Sequence, residues 1–104
     1  MTVELLYFDG CPNYEALLPH LEQLVRAAKV PAKLELRRVA DEDAAARERF
    51  LGSPSVRVNG RDVEPGAEAR EDFGLKCRLY RLPSGLRGTP SDDWVLDAIA
   101  RSGA

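Results

Sequence analysis

The chain has 104 residues and a mass of 11.5 kDa, with 44% hydrophobic and 31% charged residues. This length and composition are typical of one globular domain, and they argue against a long disordered chain or a two-domain protein. Fifteen Lys and Arg residues against 17 Asp and Glu residues give a formal charge of −2. The basic footprint expected of a nucleic-acid-binding protein is therefore missing. We predict a single domain over residues 1–104 that does not bind nucleic acid.

Targeting and metal-site signals are also missing from the sequence. No apolar run approaches the roughly 20 residues that span a bilayer, and the start, Met1–Glu4, lacks the basic region of a signal peptide. We therefore expect a cytoplasmic protein with no membrane partner. Two cysteines are too few for a disulfide-stapled domain or a four-cysteine zinc site, and the single histidine, His20, cannot complete one. We expect neither a cofactor nor a metal.

The first half of the chain predicts two strands and two helices. Thr2–Phe8 is almost continuously apolar, which is typical of a strand buried on both faces. Apolar residues then recur at helical spacing over Pro12–Lys29. Lys33–Val39 alternates polar and apolar residues, which predicts a strand whose two leucines point inward. Asp41 is a suitable N-cap for a short helix over Glu42–Leu51.

The second half predicts a hairpin, a less regular segment and a last helix. Ser55–Val58 and Arg61–Glu64 are strands on either side of an Asn-Gly turn. The segment 65–89 has weaker signals, although Cys77–Leu82 has the composition of an extra strand. The last helix begins near Ser91. Its inner face is predicted to contain four residues, Trp94, Val95, Ala98 and Ile99.

This order of elements, β-α-β-α-β-β-α, predicts an α/β fold. A strand–helix–strand unit implies a crossover and a parallel pair of strands, and the closing hairpin implies an antiparallel pair. We therefore expect a mixed four-stranded sheet with helices on both faces. The segment 65–89 is then an insertion before the last helix.

The candidate chemistry lies between the first strand and the first helix. Cys11 is placed at the predicted helix start, where free backbone N–H groups and the helix dipole favour an anion. That anion is the thiolate, which is the nucleophilic form of cysteine. Asp9 opposes this effect, because a nearby carboxylate disfavours a second negative charge.

Three features resemble the thioredoxin-fold family. Cys11-Pro12 begins a helix directly after a buried strand. Pro19, eight residues after Cys11, lies about where thioredoxins carry a helix-kinking proline. Ser53-Pro54, with its proline 43 residues after Cys11, lies where the family has a cis-proline facing the active cysteine. The predicted order of elements agrees with the resemblance, which implies a thioredoxin-like fold with an insertion.

The resemblance departs from the family pattern at Tyr14, which replaces the second cysteine of Cys-x-x-Cys. That leaves one-cysteine chemistry, a distant resolving cysteine, or no redox chemistry. Cys77 is the candidate resolving cysteine: the Cys11 thiolate would attack a disulfide, peroxide or other electrophile, and Cys77 would then form a Cys11–Cys77 disulfide. Asp9, Tyr14 and Ser53 are candidate auxiliary residues.

We therefore expect a thiol-disulfide or thiol-peroxide oxidoreductase that uses Cys11, Pro12, Pro54 and Cys77. Its partner would be a small thiol, a protein disulfide or a peroxide. The motif also resembles small bacterial thioredoxin-like proteins, some of which are labelled as related to alkylmercury lyases. The alternatives are thus a thiol protein that handles a soft metal, metalloid or organomercurial, and a non-catalytic thioredoxin-like binding module.

Arginines are frequent from position 57 onward. Because acidic residues are interleaved with them, we expect these arginines to be solvated on strand and loop faces rather than to bind an anionic substrate. The arginines in question are Arg57, Arg61, Arg70, Arg78, Arg81 and Arg87.

Overall fold

A mixed four-stranded sheet forms the centre of the computed structural model, which describes residues 1–102. Strand β1 (Thr2–Tyr7) pairs in parallel with β2 (Lys33–Arg38) and antiparallel with β3 (Ser55–Val58). Strand β4 (Arg61–Asp62) continues the sheet beyond β3, so that the order is β2-β1-β3-β4. The predicted α/β class and its mixed sheet are confirmed.

Helices pack on both faces of the sheet. Because neighbouring residues of a strand point to opposite faces, β1 contributes to two separate clusters. Helices α1 (Asn13–Ala27) and α3 (Asp92–Ser102) cover one face, and the short α2 (Glu42–Glu48) covers the other. The larger cluster contains Val3, Leu5, Leu17, Leu21, Val56, Val58, Val95 and Ile99. The smaller cluster contains Leu6, Val39, Ala45 and Phe50. Within residues 1–102, none of the helices has the length and hydrophobicity that a membrane crossing requires.

Helix α2 ends earlier than the sequence predicted. It stops at Glu48, and Arg49 adopts the left-handed conformation with φ 54°, which is a common way for a helix to end. The chain then turns inward, because Phe50 and Leu51 are buried. The predicted extension to Leu51 is therefore wrong: the two apolar residues at its end pack beneath the helix rather than continue it. The Asp41 N-cap is confirmed, since its carboxylate accepts a hydrogen bond from the backbone N–H of Ala44.

Two strand predictions also need correction. Leu36 was expected to point inward, but it is 45% exposed, because β2 is an edge strand of the sheet. The return strand of the hairpin was predicted over Arg61–Glu64, but β4 ends at Asp62. There the Asp62 carboxylate accepts from the backbone N–H of Glu64 at 2.9 Å, a local hydrogen bond that turns the chain out of the ladder.

The segment before α3 is more regular than its sequence signals indicated. It contains a short 3-10 helix (Ala67–Ala69) and a hairpin of β5 (Tyr80–Leu82) and β6 (Gly85–Arg87). The extra strand predicted over Cys77–Leu82 is thus confirmed in its second half. Its first half lies along the loop before β3, and we call residues 76–82 the strap.

Candidate functional site

The fold brings the two cysteines together. Cys11 lies between β1 and α1 and is completely buried, whereas Cys77 lies on the strap and is exposed. The Cys11 thiol donates a hydrogen bond to the carbonyl oxygen of Ser53, with Sγ and O 3.4 Å apart. Cys77 is paired with the same Ser53 in a backbone bridge, and it lies close enough to Cys11 for Cys11 to raise the pKa of the Cys77 thiol. Two residues 66 positions apart in the sequence therefore lie close together, next to Ser53, and both are free thiols.

Backbone hydrogen bonds to Ser53 place the strap. The Ser53 N–H donates to the Lys76 carbonyl at 2.8 Å, and the Ser53 carbonyl accepts from the Arg78 N–H at 2.9 Å. These bonds form an isolated parallel bridge that sets Cys77 opposite Ser53. The peptide bond that follows, Ser53–Pro54, is cis, as the resemblance implied. Ser53 therefore lies next to both cysteines: its carbonyl accepts from the Cys11 thiol, and Cys77 is its partner in the bridge.

A buried arginine holds the inner side of the strap. Arg78 is only 2% exposed, and its guanidinium donates to Asp62 at 2.7 and 3.0 Å, to Glu64 at 2.9 Å and to the Ser55 hydroxyl at 2.8 Å. Burial lowers the pKa of Arg78, but the hydrogen bonds and charges of its acidic partners outweigh burial and hold that pKa above its ordinary value. The expectation that Arg78 is solvated is wrong, because two carboxylates at the end of β4 bind it inside the protein.

Tyr80 supports the strap from the same inner side. It is completely buried, its hydroxyl donates to the Pro54 carbonyl, and the Arg78 guanidinium lies 4.5 Å from its ring centroid. Burial raises the pKa of the Tyr80 hydroxyl well above its usual range, so this group stays a neutral donor. Tyr80 and Arg78 were not among the site residues expected from the sequence, and together they connect the strap to Pro54 and to β4.

Cys11 affects the protonation of Cys77. The pKa of Cys77 is raised, chiefly by its hydrogen bond with Cys11, and further by burial and by the charge of Cys11. The thiolate form of Cys77 is therefore disfavoured relative to that of an ordinary cysteine. Cys11 was expected to gain its thiolate character from the helix start. In the structure its thiol donates to the Ser53 carbonyl, while Pro12 occupies the N-cap of α1 and has no N–H.

The auxiliary residues expected from the sequence differ in their relation to the thiols. Asp9 is exposed, and its carboxylate accepts from Arg38 at 2.8 Å. Tyr14 stacks on Tyr7 with ring centroids 4.1 Å apart and planes at 24°, and burial is the main cause that raises the pKa of its hydroxyl. Ser53 is buried and contacts the pair directly, and within residues 1–102 its hydroxyl has no hydrogen-bond partner. Of the three, Ser53 is the one that the structure places at the thiols.

The candidate site contains two sulfur ligands, which is fewer than a structural zinc site made only of protein ligands requires. Among the described residues, no group of three or more His, Cys, Asp or Glu side chains is placed to hold a metal ion. A surface cavity of about 360 Å³ lies elsewhere, on the side of the sheet that carries Arg57, and neither cysteine lines it. The candidate site therefore consists of the exposed Cys77 and the buried Cys11.

Comparison of the chain with protein-family models, with curated proteins and with solved structures finds no match. The function must therefore be argued from the residues themselves. Those residues are one buried and one exposed thiol, which Ser53 brings together through its carbonyl and its backbone bridge.

Proposed function

We propose that this chain is a thioredoxin-like thiol-disulfide oxidoreductase in which Cys11 and Cys77 form the redox pair. The observation that carries the proposal is that both cysteines lie next to Ser53: the Cys11 thiol donates to the Ser53 carbonyl, and Cys77 is paired with Ser53 in a backbone bridge. Two cysteines next to the same residue can form a disulfide with little movement, whereas two cysteines whose Cα atoms are more than about 7 Å apart cannot form one without backbone movement. The strap thus supplies the second cysteine that the motif lacks at Tyr14.

The surroundings of Cys11 support the thioredoxin-like part of the proposal. Cys11 lies directly between a central strand and the helix that follows it, and its thiol faces the Ser53–Pro54 segment before β3. The element order also contains the β-α-β-α-β-β-α series, with the β5–β6 hairpin added before the last helix. The resemblance stated from the sequence involves the same residues.

The reaction is a pair of thiol-disulfide exchanges. A thiolate of the pair attacks one sulfur of a substrate disulfide, the S–S bond breaks, and the leaving thiolate takes up a proton. The other cysteine then loses its proton and attacks the mixed disulfide, which forms the Cys11–Cys77 disulfide and releases the second substrate thiol. The substrate gains two electrons and the protein loses two, so an external dithiol must reduce the protein before another cycle.

The test is to treat the reduced, folded protein with hydroxyethyl disulfide and to map its cysteines by peptide mass spectrometry. We expect one Cys11–Cys77 disulfide per chain and two molecules of mercaptoethanol released. Cys11→Ser and Cys77→Ser should each stop at a mixed disulfide or fail to react. The control is the same protein unfolded in urea, in which the two thiols should react independently. A folded protein that carries a separate mixed disulfide on each cysteine would contradict the proposal.

The proximity of Cys11 and Cys77 also favours a second candidate function, the binding of a soft cation by two thiolates. Thiolates prefer soft ions, and because a third ligand is missing among residues 1–102, an ion that accepts two sulfur ligands fits best. Titration of the reduced protein with Hg(II) against a competing small dithiol should then give one tight site per chain. Either serine variant should lose that site, and tight binding that survives in one of them would eliminate this candidate.

A further inference from the structure

The outer side of the strap presents a row of exposed side chains next to the reactive thiol. Along the strap the residues alternate, so Arg78 and Tyr80 point inward while Cys77, Leu79 and Arg81 are exposed. In the hairpin Leu86 lies opposite Arg81, and residues directly opposite each other share a face. We call the four residues Cys77, Leu79, Arg81 and Leu86 the outer face.

Exposed leucines are concentrated on this face. Leu79 is 62% exposed and Leu86 is 57% exposed, and both are carried by the structure that delivers Cys77. Within residues 1–102 the other large exposed hydrophobic residue is Leu36, on the edge strand β2. Apolar side chains grouped around a reactive group mark a surface that binds a partner, whereas a single exposed leucine needs no such explanation.

The inner side of the strap keeps this face in position. Arg78 binds two carboxylates and Tyr80 binds the Pro54 carbonyl, so the outer residues are mounted on an anchored strand rather than on a free loop. A rigid surface loses little conformational entropy when a partner binds. A partner of peptide length could therefore lie along the strap with its sulfur at Cys77.

The charge of the outer face indicates the partner's composition. Arg81 is exposed, and within the described part of the chain it forms no ion pair. Arg87, on the paired strand β6, lies opposite the inward-pointing Tyr80 and therefore does not belong to this face. Two leucines and one arginine without an ion pair complement apolar and acidic side chains.

Exposure also decides which sulfur a large partner meets first. Cys77 is exposed, whereas Cys11 has no accessible surface and lies behind it. The sequence led us to expect Cys11 as the attacking nucleophile and Cys77 as the resolving cysteine. For a polypeptide disulfide, the burial of Cys11 favours the reverse order.

We propose that the outer face binds a polypeptide disulfide flanked by apolar and acidic residues, and that Cys77 is the sulfur that attacks it. This inference rests on the proposed redox pair. The Cys77 thiolate forms a bond to one sulfur of the partner, whose S–S bond breaks and whose second sulfur leaves as a thiolate and takes up a proton. Cys11 then loses its proton and displaces the partner from Cys77, so the partner leaves as a dithiol and the protein keeps the disulfide. A dithiol reductant restores the protein.

The order of attack is tested with a peptide whose single cysteine is linked to thionitrobenzoate, so that its displacement is visible. We expect reduced Cys11→Ser to form a peptide adduct at Cys77 at least about tenfold faster than Cys77→Ser forms one at Cys11, because thiol exchange requires access to the sulfur. Cys11→Ala, which keeps the buried position apolar, serves as a second variant if the serine disturbs folding. Equal rates, or a faster reaction at Cys11, would overturn the assignment.

Peptide selectivity is tested with two such peptides. The Leu-Glu peptide has Leu and Glu next to its cysteine, and the Ser-Lys peptide has Ser and Lys at the same two positions. The unaltered protein should prefer the Leu-Glu peptide to the Ser-Lys peptide, and the double change Leu79→Ser with Leu86→Ser should lower that preference about tenfold, which is the scale of a buried leucine contact. Arg81→Glu replaces a positive charge by a negative one, so it should shift the preference away from the peptide with Glu and towards the peptide with Lys. Leu36→Ser, a matched change on the far edge strand, should keep it.

The outcomes separate this inference from the function on which it rests. In one outcome, the unaltered protein reacts equally with both peptides and still forms the Cys11–Cys77 disulfide with hydroxyethyl disulfide. That result would overturn peptide binding by the outer face and would leave the redox pair in place. A protein that never forms that disulfide with any of these reagents would overturn both. Preference for the Leu-Glu peptide together with the adduct at Cys77 supports the inference.

Discussion

The two cysteines meet at one point, but the regions that hold them there are built differently. Cys11 lies between β1 and α1, which are joined by a cluster of aliphatic side chains. Cys77 lies on the strap, whose inner side is held by the buried Arg78 and its bonds to Asp62 and Glu64. Aliphatic packing is strong but not directional, whereas an arginine bound to two carboxylates has a defined geometry.

We expect one of these regions to determine the stability of the protein and the other to determine the position of Cys77. A buried ion pair contributes little net stability relative to apolar residues of the same shape, because both charges lose water, yet breaking it is costly. We therefore expect the aliphatic cluster to account for most of the free energy of unfolding. The Arg78 pairs should mainly determine where Cys77 lies. The predictions that follow test this division.

The largest loss of stability should come from the aliphatic cluster. Leu5→Ala removes a completely buried side chain from the central strand, and we expect the free energy of unfolding to fall by about 2–5 kcal/mol. Urea unfolding of the reduced protein measures it. The matched control is Leu36→Ala: Leu36 is paired with Leu5 across β1 and β2 but is 45% exposed, so its truncation should cost well under half as much. Similar losses in both variants would contradict this account of the core.

Arg78→Met should have a smaller effect on stability and a larger one on the thiols. It leaves Asp62 and Glu64 without their partner, but these carboxylates are 14% and 20% exposed and regain some water. We expect a loss of about 2–3 kcal/mol, at or below the lower end for a broken buried pair. Because the strap loses its anchor, the Cys11–Cys77 disulfide should form at least about tenfold more slowly, as expected for a reaction that depends on positioning.

The control for Arg78 is a neighbouring arginine. Arg61→Met alters an exposed arginine next to Asp62, and it should change stability by no more than about 0.5 kcal/mol and leave disulfide formation unchanged. If Arg78→Met lowers stability but the disulfide still forms at the original rate in the folded variant, positioning by the ion pairs is refuted.

The smallest effect concerns the protonation of Cys77. Its pKa is raised chiefly by the hydrogen bond with Cys11, so Cys11→Ala should move that pKa down towards the ordinary value for cysteine. A lower pKa means more thiolate at a given pH, and alkylation of Cys77 near pH 8 should become a few-fold faster. Iodoacetamide labelling over a range of pH, read by mass spectrometry, gives the midpoint. Asp9→Asn is the control, because Asp9 is paired with Arg38, and a midpoint that does not move in Cys11→Ala would refute the coupling.

Much of the sheet was predictable from local patterns. The strands β1 and β3 and the helices α1 and α3 have uninterrupted apolar periodicity, and they occur within a few residues of their predicted bounds. The errors fall where tertiary contacts decide. Helix α2 stops when two apolar residues turn into the core, and Leu36 is exposed because no strand covers the outer edge of β2.

The site was harder to predict than the fold. The helix-start position of Cys11 is a local signal, but the contact with Cys77 depends on a bridge to Ser53 that no sequence spacing specifies. The strap also inverts the usual hydrophobic pattern, since Arg78 is buried and Leu79 is exposed. Only the acidic residues at the end of β4 explain that inversion, and they are more than ten positions away in the sequence.

The position of Tyr80 also provides the molecule with a natural spectroscopic reporter. Trp94 is the single tryptophan of the chain, and its ring centroid lies 6.2 Å from that of Tyr80, with the ring planes at 56°. Tryptophan emission depends on the immediate surroundings of the indole, and here one of those surroundings is a residue of the strap. We therefore expect the intrinsic fluorescence of unlabelled protein to report any change in the position of the strap, including one that Arg78→Met would cause.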